Sequence, residues 1–153
     1  MNALVKRIVI DTSVIIDLYA APNDVRASIA EEVASWAAKN LVEAYAPKSL
    51  VVEVFGVLAR HLSREELDLV AASFPPIRLV PEEAFYDKAI EIARSTGSRA
   101  ADAYYIAVAA MIGGVLLTND RLQSQNARRA GVKAYYLLKE SERARQSIMY
   151  SNT

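Results

Sequence analysis

Two carboxylates follow apolar segments at the points where strands are expected to end. Asp11 comes directly after the β-branched run 4–10, and Asp120 follows the run 115–118 after one intervening residue. In helix-covered parallel sheets, ligands bind outside the carboxyl ends of the strands, so both side chains are expected at one edge. Two further acids, Glu53 and Asp102, lie inside apolar segments with helical spacing, where an unpaired carboxylate is costly. These four acids are the candidates for chemistry.

Each acid also has a purely structural interpretation. Asp11 and Asp120 could cap helices, and Asp120 with Gln123 fits a capping box. Glu53 and Asp102 fall in the first turns of their helices, where the dipole favours negative charge or the side chains could simply be exposed. Four acids near one edge nevertheless repel one another unless a cation lies among them or their pKa values rise. Mg²⁺ or Mn²⁺ fits such oxygen ligands and leaves room for phosphodiester chemistry.

Composition narrows the class of protein. The chain has 153 residues, 53% of them hydrophobic. This size and composition favour a single domain that spans residues 1–153. It has no Cys and a single histidine, His61, so disulfides, thiol nucleophiles and zinc fingers are excluded and a reducing cytoplasm is expected. His61 is interpreted as structural, at a helix end. The net charge is zero, but residues 77–153 carry eleven basic and eight acidic side chains, so this half could meet phosphate.

Strand and helix patterns alternate along the chain. Strands are predicted at 4–10, 42–46, 77–80, 115–118 and 134–138, with helices between them and a polar tail from about residue 139. This alternation predicts a three-layer α/β/α sandwich with a mainly parallel central sheet. The weakly polar run 100–118 contains Asp102 and two glycines, which predicts a helix, a turn and a strand instead of a membrane span. Lys6 and Arg7 interrupt the first apolar run, which is therefore not expected to be a signal peptide.

The segments around the four acids resemble the four motifs of the PIN (PilT N-terminal) domain family, in the same order. They are DTSVIID at 11–17, SLVVEVF at 49–55, ADA at 101–103 and LTND at 117–120. The resemblance covers roughly residues 6–138 and is closest to the small stand-alone toxins of VapBC-type toxin–antitoxin pairs. Family members often carry an aromatic residue shortly after the last acid, where this chain has Arg121, Leu122 and Gln123.

The resemblance implies a metal-dependent endoribonuclease. Its catalytic residues and ligands for one or two Mg²⁺ or Mn²⁺ ions would be Asp11, Glu53, Asp102 and Asp120. Thr12, Ser13 and Thr118 would be supporting polar groups, and Arg99 and Arg121 would contact RNA. The implied partners are an RNA substrate, a small antitoxin and a second copy of the chain. Asp17 is interpreted as exposed or partner-contacting, and Tyr104 and Tyr105 as core or dimer contacts in preference to base-stacking groups.

Other functions are compatible with parts of this pattern. An RNA-processing PIN nuclease outside a toxin system would carry the same acids, and a non-catalytic PIN module could bind RNA or protein. A receiver-type phosphorylation switch also clusters acids at a sheet edge, and Lys139 superficially fits its lysine. Thr12 stands, however, where a receiver has a second acid, and Pro81 follows the third predicted strand. A haloacid dehalogenase-like phosphatase would need Asp where the chain has Ser13.

Overall fold

In residues 5–150, the part of the chain that this computed structural model describes, five parallel strands form one sheet. They are β1 (Lys6–Ile10), β2 (Val42–Pro47), β3 (Arg78–Val80), β4 (Val115–Thr118) and β5 (Ala134–Tyr136). Their order is β3-β2-β1-β4-β5, and Ile10 of β1 pairs with Leu117 of β4. The strand order therefore reverses between β1 and β4, and a crevice at their carboxyl ends is the expected ligand site.

Helices cover both faces of the sheet. They are α1 (Thr12–Ala20), α2 (Asp24–Ala38), α3 (Leu50–Leu58), α4 (Arg64–Ala72), α5 (Glu82–Thr96), α6 (Ala100–Ile112), α7 (Arg121–Arg129) and α8 (Leu137–Arg145), followed by a π-helical turn at Gln146–Tyr150. Ile8, Val9 and Ile10 are all fully buried. Because successive strand residues point to opposite faces, both faces of β1 are covered. The predicted three-layer sandwich is confirmed, and among the described helices none has the length and apolarity that crossing a membrane requires.

Local sequence signals set several helix ends. Asn23 caps α2 by accepting a hydrogen bond from the Arg26 N–H (3.0 Å). Ser63 and Glu66 exchange both bonds of a capping box at the start of α4, at 3.1 and 2.6 Å. Gly97 ends α5 with φ at 71°, a left-handed conformation that residues with a Cβ adopt only at a cost. Each of these helix ends depends on residues within a few positions of it.

The C-terminal segment differs most from its prediction. The fifth strand ends at Tyr136, and the expected polar tail forms α8 and the π-helical turn instead. Ala144 and Ile148 of this segment are buried. Arg145 holds it to α2 through an ion pair with Glu32, at 2.6 and 2.8 Å. Two buried positions among charged residues are too weak a pattern to predict this helix from the sequence. Its contacts with α2, which is distant in the chain, hold it in place.

Candidate active site

Asp11 lies at the junction of β1 and α1, beside β4. Its backbone N–H donates to the Leu117 carbonyl (3.0 Å), which places it at the switch point of the sheet. Its side chain caps α1 and accepts hydrogen bonds from the N–H (3.4 Å) and hydroxyl (2.7 Å) of Ser13. The Thr118 hydroxyl donates to the same oxygen, Oδ2, at 2.9 Å. Asp11 is therefore oriented by groups from α1 and β4.

Burial makes the Asp11 carboxylate electrostatically unusual. The residue is only 6% exposed, and burial raises its pKa from 3.8 to about 6 against the opposing hydrogen bonds from Ser13 and Thr118. The negative charge of Asp102 adds to the increase in pKa. A cation beside these two carboxylates would offset both the burial and the repulsion.

Asp102 comes from the first turn of α6, where the helix dipole favours a carboxylate. Its side chain is 29% exposed and forms an ion pair with the Nε of Arg99 (3.3 Å), whose own side chain is 87% exposed. The Asp102 backbone carbonyl accepts a hydrogen bond from the Gln123 side chain (2.9 Å). This bond links the start of α6 to α7, the helix that follows Asp120.

Glu53 is presented by α3 and is half-buried. Its Oε2 lies within hydrogen-bond distance of the hydroxyls of Thr12 (2.7 Å) and Tyr105 (3.2 Å), and its Oε1 accepts a hydrogen bond from Ser49 (3.0 Å). Within residues 5–150 these contacts leave at least one of the roughly four acceptor sites of the carboxylate unused. Glu53 is thus oriented by its neighbours and retains capacity for one more donor or a cation.

Asp120 caps α7 from an exposed position. It accepts hydrogen bonds from the N–H groups of Leu122 (2.9 Å) and Gln123 (3.2 Å). The predicted capping box is wrong in its second half, because the Asp120 N–H does not donate to the Gln123 side chain, whose Nε2 donates to the Asp102 backbone carbonyl. The Asp120 N–H donates instead to the Thr118 hydroxyl (3.0 Å), which itself donates to Asp11. Thr118 therefore connects the two aspartates.

The donor chemistry fits a hard divalent ion at Asp11 and Asp102. Both offer carboxylate oxygens, and Mg²⁺ typically takes one or two carboxylates with water and phosphate oxygens. In residues 5–150, however, no three His, Asp or Glu side chains form a group arranged to hold a metal ion. Thr12, Ser13 and Thr118 contact the acids as described above. The assignment of four carboxylates as metal ligands stays a prediction.

A comparison with protein families decides the classification. The family model described as the PIN domain matches residues 8–129 of the chain. The chain belongs to the PIN domain family. This confirms the resemblance drawn from the four acidic motifs.

Two solved structures share the fold of this PIN domain. The crystal structure of FitAcB from Neisseria gonorrhoeae is similar with a TM-score of 0.58 and 24% identity, over 84% of this chain and 96% of that one. PAE2754 from Pyrobaculum aerophilum is similar with a TM-score of 0.58 and 21% identity, over 94% of this chain and 99% of that one. At these identities the likeness concerns the fold. No curated protein matches the chain.

Asp17 does not lie where the sequence predicted it. Asp17 is 4% exposed and its Oδ2 accepts hydrogen bonds from Arg26 Nε and Asn119 Nδ2, both at 2.8 Å. The expectation of an exposed or partner-contacting residue is therefore wrong. The ion pair with Arg26 therefore joins α1 to α2, and the hydrogen bond from Asn119 joins α1 to the loop after β4. Helix geometry alone could not reveal this, because it says nothing about which neighbour packs on that face.

Tyr105 is a contributor to this region that sequence reasoning treated only as a core or dimer contact. It is 1% exposed, which confirms the core position. Its hydroxyl contacts both the Thr12 hydroxyl and the Glu53 carboxylate. One sequence signal was available: Tyr105 is three residues after Asp102, and residues at this spacing are neighbours on a helix.

The basic side chains differ in exposure and in their partners, and Arg99 is both exposed and paired with Asp102. Arg99 and Arg121 are exposed at the starts of α6 and α7, next to Asp102 and Asp120. Arg128 is engaged by the Ala134 carbonyl (3.0 Å) and by Glu140 (2.5 Å). His61 is exposed in the turn after α3, where its N–H donates to the Leu58 carbonyl (2.9 Å). Arg99 and Arg121 are thus the arginines placed at the mouth of the acidic region.

Proposed function

We propose that this PIN domain is a Mg²⁺- or Mn²⁺-dependent endoribonuclease that hydrolyses RNA phosphodiester bonds. The observation that carries the proposal is Asp11, a buried carboxylate at the sheet's switch point whose pKa is raised by burial and by the charge of Asp102. Members of the PIN family are typically nucleases. A crevice that holds a buried carboxylate within reach of the charge of a second one suits a divalent ion and a phosphate better than it suits an anionic ligand alone.

Each polar residue has a proposed role. Asp11 and Asp102 hold the ion, with Glu53 and Asp120 completing the set of acids. When bound, the metal lowers the pKa of a water and neutralises charge that develops on the phosphate. Ser13 and Thr118 orient Asp11, and the remaining acceptor capacity of Glu53 would help to hold the ion.

Arg99 and Arg121 are proposed to contact the RNA. Both side chains are exposed beside the acids, and guanidinium groups suit phosphate oxygens. Thr12 supports Glu53 through the 2.7 Å hydrogen bond.

We further propose that the nuclease acts in the cytoplasm as the toxin of a VapBC-type pair, as a homodimer restrained by a small antitoxin. The order of the four acidic motifs supports this assignment. Tyr86 and Ile90, one turn apart on α5, expose about half of their surface and offer an apolar contact for a protein partner. Expression without the antitoxin should arrest growth, and Asp102→Asn should abolish the arrest. Normal growth with the active protein would favour an RNA-processing nuclease.

The deciding experiment is cleavage of an end-labelled structured RNA by the purified protein with Mn²⁺, Mg²⁺ or EDTA. Wild type should cut only with metal, and Asp102→Asn should be inactive while keeping its circular dichroism spectrum. Asp24→Asn is the matched control, because Asp24 also lies in the first turn of a helix, α2, but is exposed. This control should cut like wild type.

Two results would contradict the proposed nuclease activity. Equal cutting by wild type and Asp102→Asn would identify a contaminating enzyme. RNA binding without cutting by wild type, free of any copurified protein by mass spectrometry, would support the non-catalytic binding module instead.

A further inference from the structure

We propose that Tyr105 is a positioning residue that holds the Glu53 carboxylate in place for metal binding. This inference rests on the proposed nuclease function and adds to it a residue outside the four acidic motifs. It follows from a hydroxyl network that joins three helices: Thr12 of α1, Glu53 of α3 and Tyr105 of α6.

The hydrogen bonds of this network end at the same acceptor, whichever way the hydroxyl protons are arranged. A carboxylate can only accept hydrogen bonds, whereas each hydroxyl can donate one and accept others. If Tyr105 donates to Thr12, then Thr12 donates to Glu53 Oε2; if Thr12 donates to Tyr105, then Tyr105 donates to the same oxygen. Oε2 of Glu53 is therefore the final acceptor in both arrangements. The Tyr105 hydroxyl either bonds this oxygen directly or fixes the hydroxyl that does.

The helix geometry ties Glu53 to the other acids. On α1, Asp11 and Thr12 are consecutive; on α6, Asp102 and Tyr105 are three residues apart and lie on one side of the helix. Asp102 acts on Asp11 through its charge, and Tyr105 bonds Thr12. The same two helices thus place Asp102 next to Asp11 and Tyr105 next to the Glu53 network. Any shift of α6 would move Asp102 and the Tyr105 hydroxyl together.

The ring and the hydroxyl of Tyr105 have separable roles. The ring is 1% exposed and fills the core against the sheet, a role that phenylalanine can perform. The hydroxyl has its partners in the proposed site. Residues that orient metal ligands typically contribute 10- to 100-fold to metal affinity or activity. A merely structural tyrosine would have no such effect on metal affinity.

The test measures Mn²⁺ binding to the full chain by electron paramagnetic resonance of the free ion, without RNA. Tyr105→Phe should bind Mn²⁺ about tenfold more weakly than wild type. Tyr104→Phe is the matched control, since its hydroxyl donates to Glu82 on α5 (2.5 Å) and not to Glu53; its affinity should stay within about twofold, a bound set by the same scale of effects.

A double-mutant cycle separates positioning from general destabilisation. In a Glu53→Gln background, Tyr105→Phe should cause no further loss of Mn²⁺ affinity, because the group it positions is already gone. In RNA cleavage, Tyr105→Phe should lower kcat about tenfold and leave KM for RNA unchanged, since the hydroxyl does not touch substrate. If Tyr105→Phe melts below the assay temperature, its Mn²⁺ affinity is compared with that of wild type below the melting temperature of the variant, where the same loss is expected.

The outcomes distinguish this inference from the function on which it rests. Mn²⁺ binding that is weakened by Asp102→Asn but unchanged by Tyr105→Phe would overturn the role of Tyr105 and leave the nuclease standing. An additive loss in the Glu53→Gln background would also overturn it. Absence of Mn²⁺ binding by wild type would overturn both.

Discussion

The stability of the metal-free Asp11→Asn variant, relative to that of wild type, should increase as the pH rises. One pKa unit corresponds to about 1.4 kcal/mol, so raising the Asp11 pKa from 3.8 to about 6 means that ionised Asp11 lowers the stability by about 3 kcal/mol. The folded state has the higher pKa and holds its proton longer. The contribution of Asp11 to the stability is therefore greatest below about pH 4, falls as the pH rises through about 6 and levels off above it.

The magnitude follows from the same two pKa values. The cost is about 1.5 kcal/mol at pH 5 and about 3 kcal/mol at pH 8. Asparagine cannot ionise, and it caps helices about as well as aspartate does. Any cost of burying the amide is the same at both pH values. The stability of Asp11→Asn relative to wild type should thus increase by about 1.5 kcal/mol between pH 5 and pH 8.

Urea denaturation at pH 5 and pH 8 in EDTA measures this change. Asp120→Asn is the control, because Asp120 is also an N-cap but is exposed; its relative stability should move by less than about 0.5 kcal/mol. A constant difference between Asp11→Asn and wild type at the two pH values would refute the electrostatic reasoning. Mg²⁺ at about 100 times its Kd should then stabilise wild type by about 2.7 kcal/mol and Asp11→Asn by much less.

Two further substitutions test the scaffold around the site. Arg26→Ala should destabilise the fold by about 3 kcal/mol, because it leaves the buried carboxylate of Asp17 without its cation. Adding Asp17→Asn should recover part of this loss in urea titrations, and strictly additive losses would contradict the ion-pair argument. Gly97→Ala should cost about 1 kcal/mol for its left-handed conformation. Gly56→Ala, inside α3 with open space around it, should instead add about 0.5 to 1 kcal/mol; equal thermal shifts in the two alanine variants would exclude the conformational explanation.

Local interactions made much of this protein predictable from its sequence. The capping box at Ser63, the glycine that ends α5 and the bounds of α6 all depend on residues within about one helical turn. The fully buried β1 follows from its apolar run, and an apolar run with short connections predicts a helix-covered parallel sheet. The resemblance of the four acidic segments to the motifs of the PIN family was confirmed by the match of the family model.

Tertiary structure decided which polar groups meet. Asp17 is buried because Arg26 and Asn119 come to it from α2 and from the loop after β4. Tyr105 and Glu53 are 52 positions apart, and a tyrosine in an apolar helix has the same sequence pattern whether or not its hydroxyl has a partner. Gln123 likewise bonds Asp102, across helices, and not its own cap. Periodicity specifies which face of an element is buried, whereas the partners on that face depend on how distant elements pack.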